Sequence, residues 1–131
     1  MYTQEYIDQL INLHGNVKKK KGFGGKVKDL GRFNFFLEKW NPTTVLDYGC
    51  GKGHQYTVKS PPFDKRCGFE SYYLYDPCVP GFDVMPPEGK TFDAIICLQV
   101  IKHIPDQDMP WLKQLFERCA TKFVLIGDFD P

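Results

Sequence analysis

Apolar residues recur at three- and four-residue spacing in three parts of the chain, which predicts three amphipathic helices. They cover residues 3–14, roughly 28–40 and roughly 107–120. A fourth, shorter helix is predicted over roughly 54–59. It ends before Ser60-Pro61-Pro62, because two prolines cannot continue a helix.

Four other segments are short, continuous apolar runs, the pattern of strands that are covered on both faces. They are Thr43–Tyr48, Tyr72–Tyr75, Thr91–Leu98 and Lys122–Gly127. Phe82–Val84 is a further candidate for a short edge strand. Because strands alternate with helices, the predicted class is α/β, with a mainly parallel sheet of about four to five strands preceded by two N-terminal helices.

Length and charge refine this outline. A chain of 131 residues, 42% of them hydrophobic, supplies one core, so we expect a single domain over residues 1–131. Residues 1–42 would form the N-terminal helices and a basic, glycine-rich loop, and residues 43–131 the α/β core. The net charge is +4 over residues 1–40 and −3 over the remainder, which predicts a basic N-terminal face.

The five cysteines lack C-x-x-C spacing, which excludes a typical disulfide framework or zinc knuckle and favours a reducing compartment. The N-terminus has no basic segment followed by an apolar run, and no apolar stretch approaches 18 residues. We therefore expect a cytoplasmic protein that does not bind membranes.

The first predicted strand runs straight into a loop with glycines at positions 49, 51 and 53. Glycines allow a sharp turn and a close approach of the backbone to a ligand. Asp47 precedes the loop, and Asp76 ends the second strand. Ligands of open α/β sheets bind beyond the carboxyl ends of the strands, where an acidic residue can accept hydrogen bonds from ribose hydroxyls. The pattern therefore predicts a nucleotide-like ligand, although His54 breaks the G-x-G-x-x-G dinucleotide spacing.

Two segments resemble a known family. Val45–Gly53 (VLDYGCGKG) is similar to motif I of class I S-adenosylmethionine-dependent methyltransferases, and Phe92–Asp106 is similar to the fourth strand and following turn of that family. The resemblance covers about residues 43–128. It implies a Rossmann-like methyltransferase sandwich, S-adenosylmethionine as cofactor and S-adenosylhomocysteine as product. A looser resemblance, resting mainly on brevity, is to compact methyltransferases encoded by bacteriophages.

The resemblance also implies which residues bind the cofactor. Asp47 would bind the amino group and Asp76 the ribose hydroxyls, while Asp83 and Val84 would lie beside the adenine. The complete implied set is Asp47, Gly49, Cys50, Gly51, Gly53, Asp76, Pro77, Asp83, Val84, Leu98 and Gln99. The methyl acceptor is not identified and could be a small molecule, a protein or a nucleic acid.

His103 is the candidate general base, because it titrates near neutrality and the family match places it on the cleft side. The alternative is a histidine that caps or packs at the turn. His54 and Tyr56 are weaker candidates for the base. No metal site is expected, because Gln99 and Lys102 stand where some relatives carry acidic metal ligands.

Two segments leave alternatives open. The basic stretch Lys18–Lys28 reads as a solvated charge run, as a lid over the cofactor that includes Lys21, Phe23 and Gly24, or as a phosphate-contacting patch. Ser60–Phe63 matches a motif with which amino-methyltransferases grip a base or amide nitrogen. Its position after the glycine loop favours a helix-breaking loop instead.

The resemblance ends near the fifth strand of the family, so its antiparallel strands 6 and 7 are expected to be missing. That would expose a sheet edge through which two copies could pair as a homodimer. It also motivates an alternative function, a catalytically degenerate methyltransferase-like module that binds the cofactor or only a protein partner. A third alternative is a different reaction on the same cofactor, such as its cleavage.

Overall fold

The structure, a computed structural model, describes residues 30–98 and 100–127, with the side chains of residues 30–34 excepted. Helices and strands are interspersed along this part of the chain. In order they are α1 (Leu30–Trp40), β1 (Thr44–Tyr48), α2 (His54–Thr57), α3 (Phe63–Cys67), β2 (Ser71–Tyr75), β3 (Phe92–Leu98), α4 (Met109–Cys119) and β4 (Ala120–Gly127). Two single turns of 3-10 helix, Ile101–His103 and Asp106–Asp108, lie between β3 and α4.

The four strands form one sheet in the order β2-β1-β3-β4, and every neighbouring pair is parallel. Asp47 of β1 lies opposite Leu74 of β2 on one side and Ile96 of β3 on the other. All four carboxyl ends therefore lie at one edge of the sheet. This architecture is a Rossmann-like α/β fold with a parallel sheet, as the apolar runs and the resemblance predicted.

The two central strands, β1 and β3, are covered on both faces, and their alternate residues enter two separate cores. Leu46 and Ile95 pack in the core that includes α4. Val45 and Ile96 point the other way, into the core built with α1, α2 and α3. All four side chains are almost fully buried, which explains why β1 and β3 are continuous apolar runs.

A polar network joins the strands near their amino ends. Thr43 donates to Oδ2 of Asp93 from both its backbone N, at 2.9 Å, and its hydroxyl, at 3.0 Å. The Lys122 ammonium lies 3.6 Å from the same oxygen. The Thr43 backbone hydrogen bond first, and Lys122 to a smaller degree, hold the pKa of Asp93 below its ordinary value. These contacts hold the strands in register at this end of the sheet. The glycine loop and its acidic residues lie at the opposite end.

Two sequence predictions about local structure are wrong. Phe82–Val84 is not a strand, because the Phe82 carbonyl accepts a hydrogen bond from Asp76 N and its N–H donates to Val79 O. These bonds close a loop and use both backbone groups of Phe82, so that residue cannot pair with a neighbouring strand. The segment after Pro62, predicted as a loop, contains the short helix α3.

The remaining helices differ from prediction only at their ends. The predicted helix over 54–59 stops at Thr57, and the helix predicted over 107–120 starts at Met109 after its 3-10 turn. The predicted helix over 3–14, the basic stretch Lys18–Lys28 and the lid residues Lys21, Phe23 and Gly24 lie outside the described residues.

Within the described part of the chain, β4 lies at one edge of the sheet, next to β3. Its residue Ile126 is half-exposed, as expected of an edge strand. Pairing of two copies through this edge stays a prediction. No helix among the residues that the structure describes is long and apolar enough to cross a membrane.

Candidate functional site

The glycine loop between β1 and α2 is fixed over the carboxyl end of β2. The backbone N–H groups of Gly49 and Cys50 both donate to the carbonyl oxygen of Tyr75, at 2.7 and 3.0 Å. Gly49 has a φ of +87°, and a Cβ at this position would overlap the Cγ2 methyl of Val100. The loop therefore needs glycine here, both for its backbone conformation and for its contact with the turn after β3.

Asp76, at the end of β2, lies beneath this loop and fastens it. Its Oδ2 accepts from the backbone N–H of Gly51 at 2.9 Å, and its Oδ1 accepts from that of Cys78 at 3.0 Å. The residue is only 6% exposed. A carboxylate oxygen can accept more than one hydrogen bond, so an acidic residue that holds a loop can also accept from a ligand. The structure thus gives Asp76 a role in holding the loop, which sequence reasoning had not assigned.

Asp47, near the end of β1, is a partly buried carboxylate with one short hydrogen bond. The hydroxyl of Tyr56 in α2 donates to its Oδ2 at 2.7 Å. Burial raises the pKa of Asp47 to about 6; the Tyr56 bond opposes this rise, and the nearby negative charge of Asp76 adds to it. Two acidic groups near each other favour a positively charged ligand, because a cation relieves both the repulsion and the loss of hydration.

Cys50, between the first two glycines, is not a nucleophile. Its thiol donates to the carbonyl oxygen of Gly51 at 3.3 Å. Burial, together with the charges of Asp47 and Asp76, raises the pKa of this thiol far above its ordinary value. The thiol therefore stays protonated at neutral pH, and reactive cysteines need the opposite environment.

The predicted adenine-side residues lie in the loop after β2. The Phe82 ring packs close to Gly53, where an added Cβ would lie 3.3 Å from the nearest ring carbon. Asp83 is exposed, and Val84 is 67% exposed. The carbonyl of Val84 accepts a hydrogen bond from the Tyr73 hydroxyl at 2.7 Å. The fold thus brings this loop against the end of the glycine loop.

The turn after β3 forms the other side of the same edge. Leu98 ends the strand and is partly buried, while Gln99 lies outside the described residues. The side chain of Val100 lies against Gly49, as described above. His103 follows in the 3-10 turn, and its backbone N–H donates to the carbonyl oxygen of Val100. The chain therefore carries His103 close to the glycine loop, and its role as a base stays a prediction.

Two other side chains for which the sequence suggested a chemical role are buried among other residues of the protein. Tyr56 is 5% exposed, and burial together with Asp47 raises its pKa well above 10, so it does not act as a base near neutral pH. Phe63, from the Ser60–Phe63 motif, is 3% exposed. Its ring packs edge-to-face on Tyr56 and on Phe69, so it is a core residue.

Sequence reasoning missed three residues of the site: the ring of Phe82, the methyl of Val100 and the hydroxyl of Tyr56 as a partner of Asp47. All three act through contacts between separate elements. The only signal for Tyr56 was its nearness in sequence, since it is the third residue of the helix that follows the glycine loop.

An apolar groove of about 750 Å³ lies apart from this loop, between α4 and β4. Its lining includes Met109, Phe116 and Ile126, and none of its residues belongs to the glycine loop. Among the described residues, no three His, Cys, Asp or Glu side chains come together as a metal site.

The structure is that of an α/β protein whose glycine loop and acidic residues lie beyond the carboxyl ends of its parallel strands, where proteins of this class bind ligands. A family model described as a methyltransferase domain matches residues 4–128, and the chain belongs to this methyltransferase-domain family. No curated protein and no solved structure matches the chain. The predicted bacteriophage source and cytoplasmic location stay predictions, since neither the fold nor the family bears on them.

Proposed function

We propose that this chain binds S-adenosylmethionine at the carboxyl edge of its sheet and transfers the methyl group to an acceptor. The observation that carries the proposal is the arrangement of Asp47 and Asp76 around one glycine loop. The Gly51 N–H donates to Asp76, and the pKa of Asp47 is raised first by burial and to a smaller degree by the negative charge of Asp76. The cofactor has an ammonium group and two vicinal hydroxyls, and carboxylates accept hydrogen bonds from both kinds of group.

Each part of the edge has a chemical task in this proposal. Asp47 accepts from the ammonium and Asp76 from the ribose hydroxyls. The Phe82–Val84 loop covers the adenine side, and Leu98 lies at the end of β3 beside the reacting group. When bound, the cofactor supplies an electrophilic methyl on a sulfonium. The chain then has to align the acceptor and exclude water. His103 is the candidate for removing a proton from an acceptor that arrives protonated.

Isothermal titration with S-adenosylmethionine and S-adenosylhomocysteine tests the proposal. Wild-type protein should bind both, and Asp76→Ala should bind more weakly by about 1–3 kcal/mol, since it loses hydrogen bonds to a buried charged group. Glu88→Ala removes the same charge from an exposed loop position and should leave affinity unchanged.

Because Asp76 also holds Gly51, Asp76→Asn serves as a second variant. Its amide oxygen can still accept from the Gly51 N–H, but its amide nitrogen replaces the oxygen that accepts from the Cys78 N–H. The Gly51 side of the loop should therefore stay in place, while the Cys78 contact is lost and ribose binding weakens. Unchanged affinity in Asp76→Ala would refute the ribose role. Absence of binding heat with either compound in the wild type would refute cofactor binding altogether.

A further inference from the structure

Tyr56 presents its hydroxyl to Asp47 from a rigid position. The ring stacks on Tyr72, with centroids 4.5 Å apart and planes at 22°, and packs edge-to-face on Phe63. The side chain is almost fully buried. Aromatic contacts on two sides leave the ring little freedom, so the hydroxyl stays 2.7 Å from Oδ2 of Asp47.

Among the described residues, the charged or titratable groups that act on Asp47 include Asp76, Cys50 and Tyr56. Burial disfavours the charged carboxylate most, and Asp76 from β2 adds repulsion. Cys50, on the glycine loop, stays a neutral thiol. A hydrogen bond donated to the ionised form lowers a carboxyl pKa. Tyr56 is therefore the group that opposes protonation of Asp47.

We infer that Tyr56 is a positioning residue for the cofactor, whose hydroxyl keeps the Asp47 carboxylate ionised and oriented to receive an ammonium group. The inference rests on the proposed function for its ligand, and on the Tyr56–Asp47 hydrogen bond for its geometry. One donor occupies one lone pair of Oδ2, so the carboxylate retains acceptor capacity for the ammonium N–H groups. The hydroxyl itself does not react, because it stays protonated.

The test compares the Asp47 carboxyl in the wild type and in Tyr56→Phe by ¹³C NMR titration without cofactor. Tyr56→Phe keeps the ring and its packing but removes the donor. The titration midpoint should be near 6 in the wild type and rise by about one pH unit in the variant. Tyr72→Phe, which removes a hydroxyl from the neighbouring ring, should leave the midpoint unchanged. Equal midpoints in the wild type and Tyr56→Phe would overturn the inference.

Cofactor titrations between pH 5 and 7.5 then separate this inference from the proposed function. Wild-type affinity for S-adenosylhomocysteine should fall as the pH drops through the Asp47 midpoint. In Tyr56→Phe the fall should begin at higher pH, with roughly threefold weaker binding at pH 6.5. A shifted carboxyl midpoint without any binding would contradict the proposed function but not the Tyr56–Asp47 coupling. Binding with the same pH profile in both proteins would contradict the positioning role.

Discussion

Replacing Gly49 with alanine should destabilise the protein by roughly 2–5 kcal/mol, a large part of the total stability of a domain this size. The new Cβ would overlap the Cγ2 methyl of Val100, and alanine would have to adopt a φ of +87°. Val100 cannot easily move aside, because a β-branched side chain has few rotamers. Urea unfolding followed by circular dichroism measures the loss.

Gly68→Ala is the matched control for the Gly49 variant. Gly68 has a φ of +76°, but a Cβ there meets nothing within 4 Å, so only the backbone cost of about 1–2 kcal/mol remains. Adding Val100→Ala to Gly49→Ala removes the overlapping methyl and should recover part of the lost stability. Equal losses in the two single variants, with no recovery in the double variant, would contradict the contact between the glycine loop and the turn after β3.

Replacing Asp47 with asparagine should weaken cofactor binding about a hundredfold, because the ammonium loses its charged partner. The same change should stabilise the free protein at pH 7 by ~1–3 kcal/mol. Burial raises the pKa of Asp47 from 3.8 to about 6 in the folded chain. Between these values the folded chain holds a proton that the unfolded chain has released, so the free energy of unfolding falls as pH rises.

Asparagine has no such titration, and its amide oxygen can still accept from the Tyr56 hydroxyl. Thermal unfolding at pH 4 and pH 7 should therefore show the gain in stability at pH 7 and little or none at pH 4. Isothermal titration measures the lost affinity. If Asp47→Asn binds the cofactor as tightly as the wild type does, the ammonium group does not bind at this carboxylate. If the variant is less stable than the wild type at pH 7, the ionised Asp47 carboxylate does not destabilise the folded protein.

The central strands could be predicted from sequence because their apolar runs have one physical explanation. Val45, Leu46, Ile95 and Ile96 enter cores on both faces, and only a doubly covered strand needs such a run. Phe82–Val84 has the same local composition as a strand, but the hydrogen bond from Asp76 N to the Phe82 carbonyl closes a loop there. Whether this segment forms a strand or a loop depends on where Asp76 lies in the folded chain. The three residues Phe82–Val84 carry no sequence pattern that shows it.

Short helices are hard to predict for a similar reason. The helix α3 has five residues, too few to show a period of 3.6, and it depends on the burial of Phe63 against Tyr56 and Phe69. Asp64 in its first turn, the basic residues of its last turn and Gly68 after it are local helix signals, but residues of these types are also common in turns. The sequence therefore indicated a break at Pro61-Pro62 but not the structure that follows it.

The residues of the candidate site also fall into two groups, those that a sequence motif identifies and those that only the folded structure brings into contact. The acidic residues and glycines that approach a ligand occupy fixed positions around one loop, so a motif identifies them. Residues that orient them do so from other elements: Tyr56 reaches Asp47 from α2, and Val100 meets Gly49 from the turn after β3. Such partners are set by how helices pack on the sheet, which spacing along the chain does not encode.

Hydrogen–deuterium exchange with and without saturating S-adenosylhomocysteine tests most directly whether the cofactor binds at this edge. The account predicts slower exchange of backbone amides in the glycine loop, residues 49–53, and in the loop over residues 76–84. Exchange in α4 and β4, which line the separate apolar groove, should not change. Protection confined to α4 and β4, or no protection anywhere at saturating ligand, would contradict a cofactor site at the carboxyl edge of the sheet.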